Sequence, residues 1–238
     1  MKRYFTIALL ILSSQVIYAA NVRVAHLSPD APAVDVLVGT DDVTKSAVLE
    51  NVSFPAVSGY LPVADGNYFI DVAATGTTAP VIDVNDITLS GDLTIAAVNF
   101  LADIEPIVLT DDRTPAAGLA KLRAVHASPN APAVDIFVDG AGLLPALTNL
   151  SFKESTGYLE LAPGDYTFRI RATGTTDDVF VVEDLALDAN TNYSAFAIGE
   201  LGANFSVLPT VDSVPEPSSV SLLMFSVAAV GMLRKRRR

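Results

Sequence analysis

One stretch of this chain occurs twice, and that most limits what it can fold into. Near the start it reads Val24-Ala25-His26-Leu27-Ser28-Pro29-Asp30-Ala31-Pro32-Ala33-Val34-Asp35-Val36-Leu37-Val38. Further along it reads Ala124-Val125-His126-Ala127-Ser128-Pro129-Asn130-Ala131-Pro132-Ala133-Val134-Asp135-Ile136-Phe137-Val138. A self-match of this length marks an internal duplication, so the body is two copies of one unit. Each unit is large enough to close a hydrophobic core of its own. There is no Cys, so neither copy is stapled by disulfides and stability rests on the cores.

Both copies are rich in Val, Ile, Thr, Phe and Tyr, in short runs broken by Gly, Pro, Asn and Asp. That pattern predicts an all-β sandwich in each. Strands are expected near Val22–Leu27, Val34–Val38, Ala47–Phe54, Gly59–Val63, Tyr68–Ala74, Val81–Leu89, Leu93–Phe100 and Pro106–Thr110. In the second copy they are expected near Lys121–Ala127, Val134–Val138, Leu147–Phe152, Gly157–Leu161, Tyr166–Ala172, Val179–Leu187, Tyr193–Ile198 and Phe205–Leu208. Ala64-Asp65-Gly66-Asn67-Tyr68 matches Ala162-Pro163-Gly164-Asp165-Tyr166, a tight turn leading into a strand-starting Tyr. A Tyr placed so can bond back to the chain, as in the tyrosine corner of immunoglobulin-like sandwiches. The expected architecture is therefore two tandem immunoglobulin-like β-sandwich domains, residues 21–113 and 121–213. The polar-then-small run Asp111 to Gly118 reads as the connection, with the linker set at 114–120.

The two ends differ from the body. Residues 1–20 read as a signal peptide: Lys2 and Arg3, an apolar run from Tyr4 to Leu12, then Tyr18-Ala19-Ala20. Residues 214–238 read as a short C-terminal sorting segment with a membrane-spanning helix. Val214-Pro215-Glu216-Pro217 leaves an extended peptide. An apolar stretch from Val220 to Leu233 follows, and Arg234, Lys235, Arg236, Arg237 and Arg238 close the chain on the cytoplasmic side by the positive-inside rule. This tail resembles the PEP-CTERM sorting signal of Gram-negative bacteria. The resemblance implies processing by an exosortase, a membrane transpeptidase, after a transient stay in the inner membrane, and it implies a link to exopolysaccharide and biofilm. The alternative is a permanent single-span anchor.

Removing both ends sharpens the charge. The whole chain carries 15 basic and 27 acidic residues. Of these, 8 basic and 26 acidic fall in the body, a net charge of about −18. Such a surface excludes nucleic acid as a partner and suits an exported protein.

Few residues invite chemistry. His26 and His126 are the only histidines and occupy equivalent places. By the period-2 rule His26 shares a core-side face with Val22 and Val24, and His126 with Leu122 and Ala124. A buried His needs partners for its nitrogens, and Asp35 or Asp135 one strand away would serve. One His and one Asp fall short of a metal site, so the expected role is a hydrogen bond locking the Ser-Pro-x-Ala-Pro loop to the sheet. Ser28 and Ser128 complete a His-x-Ser…Asp set, but each precedes Pro29 or Pro129 and reads as a turn former. The catalytic and metal sets are thus empty. Acidic pairs such as Asp41-Asp42, Asp111-Asp112 and Asp177-Asp178 leave calcium as the one cofactor to consider. Tyr60 and Tyr158 are either sugar-stacking aromatics or core residues.

The body as a whole resembles an exported bacterial family, domain of unknown function 4397. The residues carrying this are Val22 to Val36, Leu122 to Ile136 and the Gly-x-Tyr turns. The resemblance implies tandem β-sandwich modules and no activity. The expected function is a non-catalytic cell-surface or extracellular-matrix protein associated with exopolysaccharide, its partners being polysaccharide or surface proteins. The alternatives are a polysaccharide-acting hydrolase and a calcium-dependent adhesion module.

Overall fold

The structure is a computed structural model that describes residues 19–139, 142–143 and 147–213. Most of the leader, and the whole tail with Val214, Pro215, Glu216, Pro217 and Arg234, Lys235, Arg236, Arg237 and Arg238, lie outside the described residues. Among the described residues, no helix is long and apolar enough to cross a membrane.

In the first copy the strands are β1 (Ala19–His26), β2 (Val34–Gly39), β3 (Ser46–Val52), β4 (Ala56–Val57), β5 (Leu61–Ala64), β6 (Gly66–Ala74), β7 (Pro80–Leu89), β8 (Asp92–Val98) and β9 (Glu105–Thr110). One sheet has the order β4–β1–β8–β9, with β5 also paired to β1, and the other β3–β2–β6–β7. The second copy provides β10 (Ala120–His126), β11 (Val134–Val138), β12 (Gly142–Leu143), β13 (Leu159–Leu161), β14 (Gly164–Ala172), β15 (Asp178–Leu187), β16 (Thr191–Ile198) and β17 (Ser206–Val211). Its sheets follow the same plan, β13–β10–β16–β17 and β12–β11–β14–β15.

The all-β sandwich expectation holds, but the immunoglobulin connectivity does not. In that fold the second and third strands lie in opposite sheets and the first is at an edge. Here β3 pairs with β2 in one sheet, and β1 is central in the other, parallel to β8. The parallel β10–β16 pair repeats this in the second copy. The tyrosine turn survives the different connectivity: the Tyr68 hydroxyl donates to the Ala64 carbonyl at 2.9 Å, and that of Tyr166 to Ala162 at 2.8 Å.

Three further readings shift. Ala19 and Ala20, assigned to the leader, stand in β1 opposite Ala64 and Val63. The strand expected at Leu147–Phe152 does not form. Leu150 makes a single bridge to Val134, and the short β12 pairs with β11 instead. Phe100 leaves β8 for a 3-10 turn at Leu101–Asp103.

The packing follows from the strand patterns. β7 alternates between exposed and buried, as one face against a core requires, whereas β8 and β16 are buried almost throughout. Each copy has its own core: Val22, Val34, Val36, Ile70 and Leu93 in the first, Leu122, Val134, Ile136, Phe168 and Tyr193 in the second. A third core joins them. Ala25, Leu27, Ala96 and Val98 of the first copy pack with Val125, Ala127, Phe196 and Ile198 of the second. The sheets containing β1 and β10 therefore meet face to face and are covered on both sides.

Candidate functional site

The repeated motif lies at the ends of β1 and β10, and each polar group in it is placed by the strand pleat. His26 and His126 are both 1% exposed. The Nε2–H of His26 donates to the Pro32 carbonyl at 3.0 Å, and that of His126 to Pro132 at the same distance. A carbonyl only accepts, so Nε2 carries a proton, while Nδ1 of each ring is buried with no hydrogen-bond partner among the described residues. Each imidazole thus closes its own Ser-Pro-x-Ala-Pro loop. Burial lowers the pKa of His126 and keeps the ring neutral.

The carboxylate partner expected for these rings is elsewhere. Asp35 accepts from the Asn51 amide at 2.8 Å, the Thr75 hydroxyl at 2.8 Å and the Gly76 amide at 3.2 Å. Asp135 repeats the set with Asn149, Thr173 and Gly174. Amide donation by Asn51 and Asn149, first among these bonds, holds both carboxyls below the usual range. Gly76 and Gly174 have φ of 80° and 79°, left-handed backbone that aims their amides at the carboxylate. Asp35 and Asp135 therefore tie their own strands to the turn after β6 or β14 and to the backbone of Asn51 or Asn149.

Ser128 donates to the Gly199 carbonyl at 2.6 Å, while the Ser28 hydroxyl is buried with no bond among the described residues. Neither serine bonds to the histidine beside it. Pro29 and Pro129 are half-buried in the turn that follows. The next residue also closes a loop: Asp30 accepts from the Leu101 amide, and Asn130 from that of Leu201. His, Ser and Asp are close in sequence, but in neither copy does one of them bond to another. No nucleophile–base–acid alignment results.

The convergent cluster lies on the other face of the same strands, at the seam between the copies. Arg23 and Arg123 are each 2% exposed. Nε of Arg23 donates to the Thr94 hydroxyl at 3.0 Å, and its Nη2 is 2.7 Å from Oδ1 of Asp212, beyond the last strand of the other copy. Arg123 mirrors it: Nε donates to the Ser194 hydroxyl at 2.6 Å, Nη1 to the Thr110 carbonyl at 2.9 Å, and Nη2 pairs with Asp111. Each arginine is thus neutralised by the opposite copy. Tyr60 donates to Asp111 at 2.6 Å and Tyr158 to Asp212 at 2.7 Å, each ring lying 4.9 Å from the guanidinium carbon of its own copy's arginine. Burial, then the adjoining carboxylate, drives both phenol pKa values up.

This corrects two readings. Tyr60 and Tyr158 face the seam and are not surface stacking platforms. Asp111 is buried, and Asp112 pairs with Lys121 at 2.7 Å, so the start of the connecting run is packed structure. Arg113 continues the pattern, donating to the Asp212 carbonyl at 3.1 Å. The seam residues have one sequence signal, an arginine at the same place between apolar neighbours in two strands, Val22 and Val24 in one and Leu122 and Ala124 in the other. A charge there needs a buried partner if both faces are covered.

At least one member of each other acidic pair is also engaged. Asp41 accepts from the amides of Val43 and Thr44, Asp42 pairs with Lys45, and Asp178 pairs with Arg169 and Arg171. Among the described residues, no three His, Asp or Glu side chains come together as metal ligands.

Comparison with known proteins adds a family. The family described as "Domain of unknown function (DUF4397)" matches residues 20–137 and again residues 120–229. No curated protein matches the sequence. Among solved structures, the chain is similar to a family 26 carbohydrate-binding module of Eubacterium rectale Amy13K in complex with maltoheptaose, at 9% identity, covering 82% of this chain and 98% of that one with a TM-score of 0.25. It is similar to the Bacillus anthracis TIE protein at 13% identity, covering 77% and 34%, TM-score 0.22. A candidate cell-adhesion protein of Bacteroides ovatus aligns at 9% identity, covering 85% and 100%, TM-score 0.25. These scores are too low to carry a fold or a function across.

Proposed function

This chain belongs to the DUF4397 family, and from that premise we propose that it is a non-catalytic protein of the cell surface or extracellular matrix, exported and sorted by an exosortase and associated with exopolysaccharide. One observation carries the reading. Most polar groups of the repeated motif and the arginines beside it are engaged in joining loops and in fastening one sandwich to the other, the arrangement of a rigid structural or binding body. The strongly acidic surface suits an exported protein. The tail, with Val214 to Pro217 and its terminal basic run, supplies the address: the inner membrane transiently, then the surface.

The test is co-sedimentation of residues 19–213 with the polysaccharide secreted by the producing bacterium, in calcium and in chelator. This segment holds both sandwich cores and the seam between them. Binding under both conditions, with no release of reducing ends, is the expected result. New reducing ends would make the protein a hydrolase. Binding only in calcium would make it an adhesion module whose acidic loops are ligands.

A further inference from the structure

The two copies share a fold but not an interior. Between its sheets the first sandwich holds a cavity of about 540 Å³, whereas the corresponding space in the second measures about 40 Å³. Strand register explains the difference. Ile70 lies opposite Val38, and in the second copy Phe168 lies opposite Val138. Ile82 lies opposite Val72, where the second copy sets Phe180 opposite Ile170. Phe180 meets Phe205 edge-on at 5.2 Å between centroids. Two rings thus occupy space that stays open in the first copy.

The edge of the sandwich differs too. In the first copy Val48 and Val52 of β3 and Pro62 of β5 line the cavity, and Val48 is 47% exposed. In the second copy Leu147 and Leu150 replace that strand and are 4% and 7% exposed. So exposed apolar side chains of β3 flank the first cavity, and buried leucines take their place beside the second.

The wall defines the occupant. It is aliphatic and carries no Asp, Glu, Lys or Arg side chain. A charged ligand group would be desolvated there without a counter-ion. It offers one aromatic ring, Tyr68, where planar aromatic ligands are held by several. Its volume falls in the range of small-molecule sites, roughly 300–1,000 Å³. His26 lines the same cavity, and its Nδ1 is buried without a hydrogen-bond partner. Nδ1 of His126 is buried without a partner beside the filled space too, so this atom belongs to the fold both copies share and the aliphatic wall alone selects the ligand. We propose that the first sandwich binds the aliphatic chain of an uncharged lipid in the cavity between its sheets, and that the second is its filled counterpart with a structural role.

The proposal extends the surface-protein reading and is tested apart from it. Residues 19–213 are mixed with 1-hexadecanol or with hexadecanoate and followed by native mass spectrometry and thermal melting. Hexadecanol is expected to bind one per chain and raise the melting temperature. Hexadecanoate is expected to bind about tenfold more weakly or worse, because of its carboxylate. The variant Ile70→Phe/Ile82→Phe, which installs the second copy's residues, is expected to lose at least tenfold in hexadecanol affinity. Should that variant misfold, Val48→Asp on the exposed flank of the cavity is expected to weaken binding similarly. Absence of a hexadecanol complex, or equal binding by a folded filled variant, overturns the site. Equal binding of hexadecanoate overturns the uncharged assignment. Polysaccharide co-sedimentation by the filled variant should be unchanged, so the two readings fail separately.

Discussion

At the scale of single residues, the seam arginines matter most. Arg123 donates in three directions, to Ser194, Thr110 and Asp111, so the planar fork is essential and Lys could not reach all three. Removing one partner leaves the other charge buried, which costs about 3–5 kcal/mol. Arg123→Ala should therefore lower unfolding free energy by about that amount in a urea titration. A loss under about 1 kcal/mol would mean that water reaches Asp111. The histidines were legible in the sequence as inward-facing, because period-2 spacing put them beside Val22, Val24 and Leu122. Their partner was not. The Pro32 carbonyl is six positions away along an irregular loop, and no spacing rule places a loop carbonyl. Arg23 and Arg123 are hidden in the sequence for the opposite reason: alternation assigns them to solvent unless a second layer covers that face.

At the scale of elements, the loop joining β10 to β11 is held by a ring that burial keeps neutral. Burial lowers the pKa of His126, so the unfolded chain takes up its proton first, near pH 6.5. The stabilising contribution is complete above that pH and is lost as pH falls through the lower folded value. Between pH 7 and pH 5 the melting temperature of the wild type should fall more steeply than that of His126→Gln, which does not titrate. Parallel curves would show that the imidazole ionises freely in place. Element existence was legible almost throughout, since runs of Val, Ile and Thr between Gly and Pro mark strands strongly. The failures have physical causes. Leu147–Phe152 has the composition of a strand, but Leu147 and Leu150 are turned inward into the core. Sheet order is decided by contacts between distant strands, and the tyrosine turn fits more than one connectivity.

At the scale of the whole molecule, duplication is legible and the short connection brings the copies together, but a core shared between them is not legible. Nothing in the repeat pattern distinguishes beads on a tether from one body. The shared core of Leu27, Val98, Val125, Phe196 and Ile198, with the crossed Arg–Asp pairs, makes one body. Residues 19–213 should therefore unfold in one calorimetric transition, with van't Hoff and calorimetric enthalpies in agreement. Two resolved transitions would mean that the seam contributes little. The crossing of the pairs has a consequence for ancestry. Each copy holds the counter-ion that its sister needs, and the two sets of contacts correspond residue for residue, as in a two-fold homodimer. A copy cut free would keep a buried arginine, an uncovered apolar sheet and, at its own C-terminal end, the aspartate that another such copy lacks. It would reassemble with its own kind, and its stability, fixed while the chain is continuous, would become a function of protein concentration.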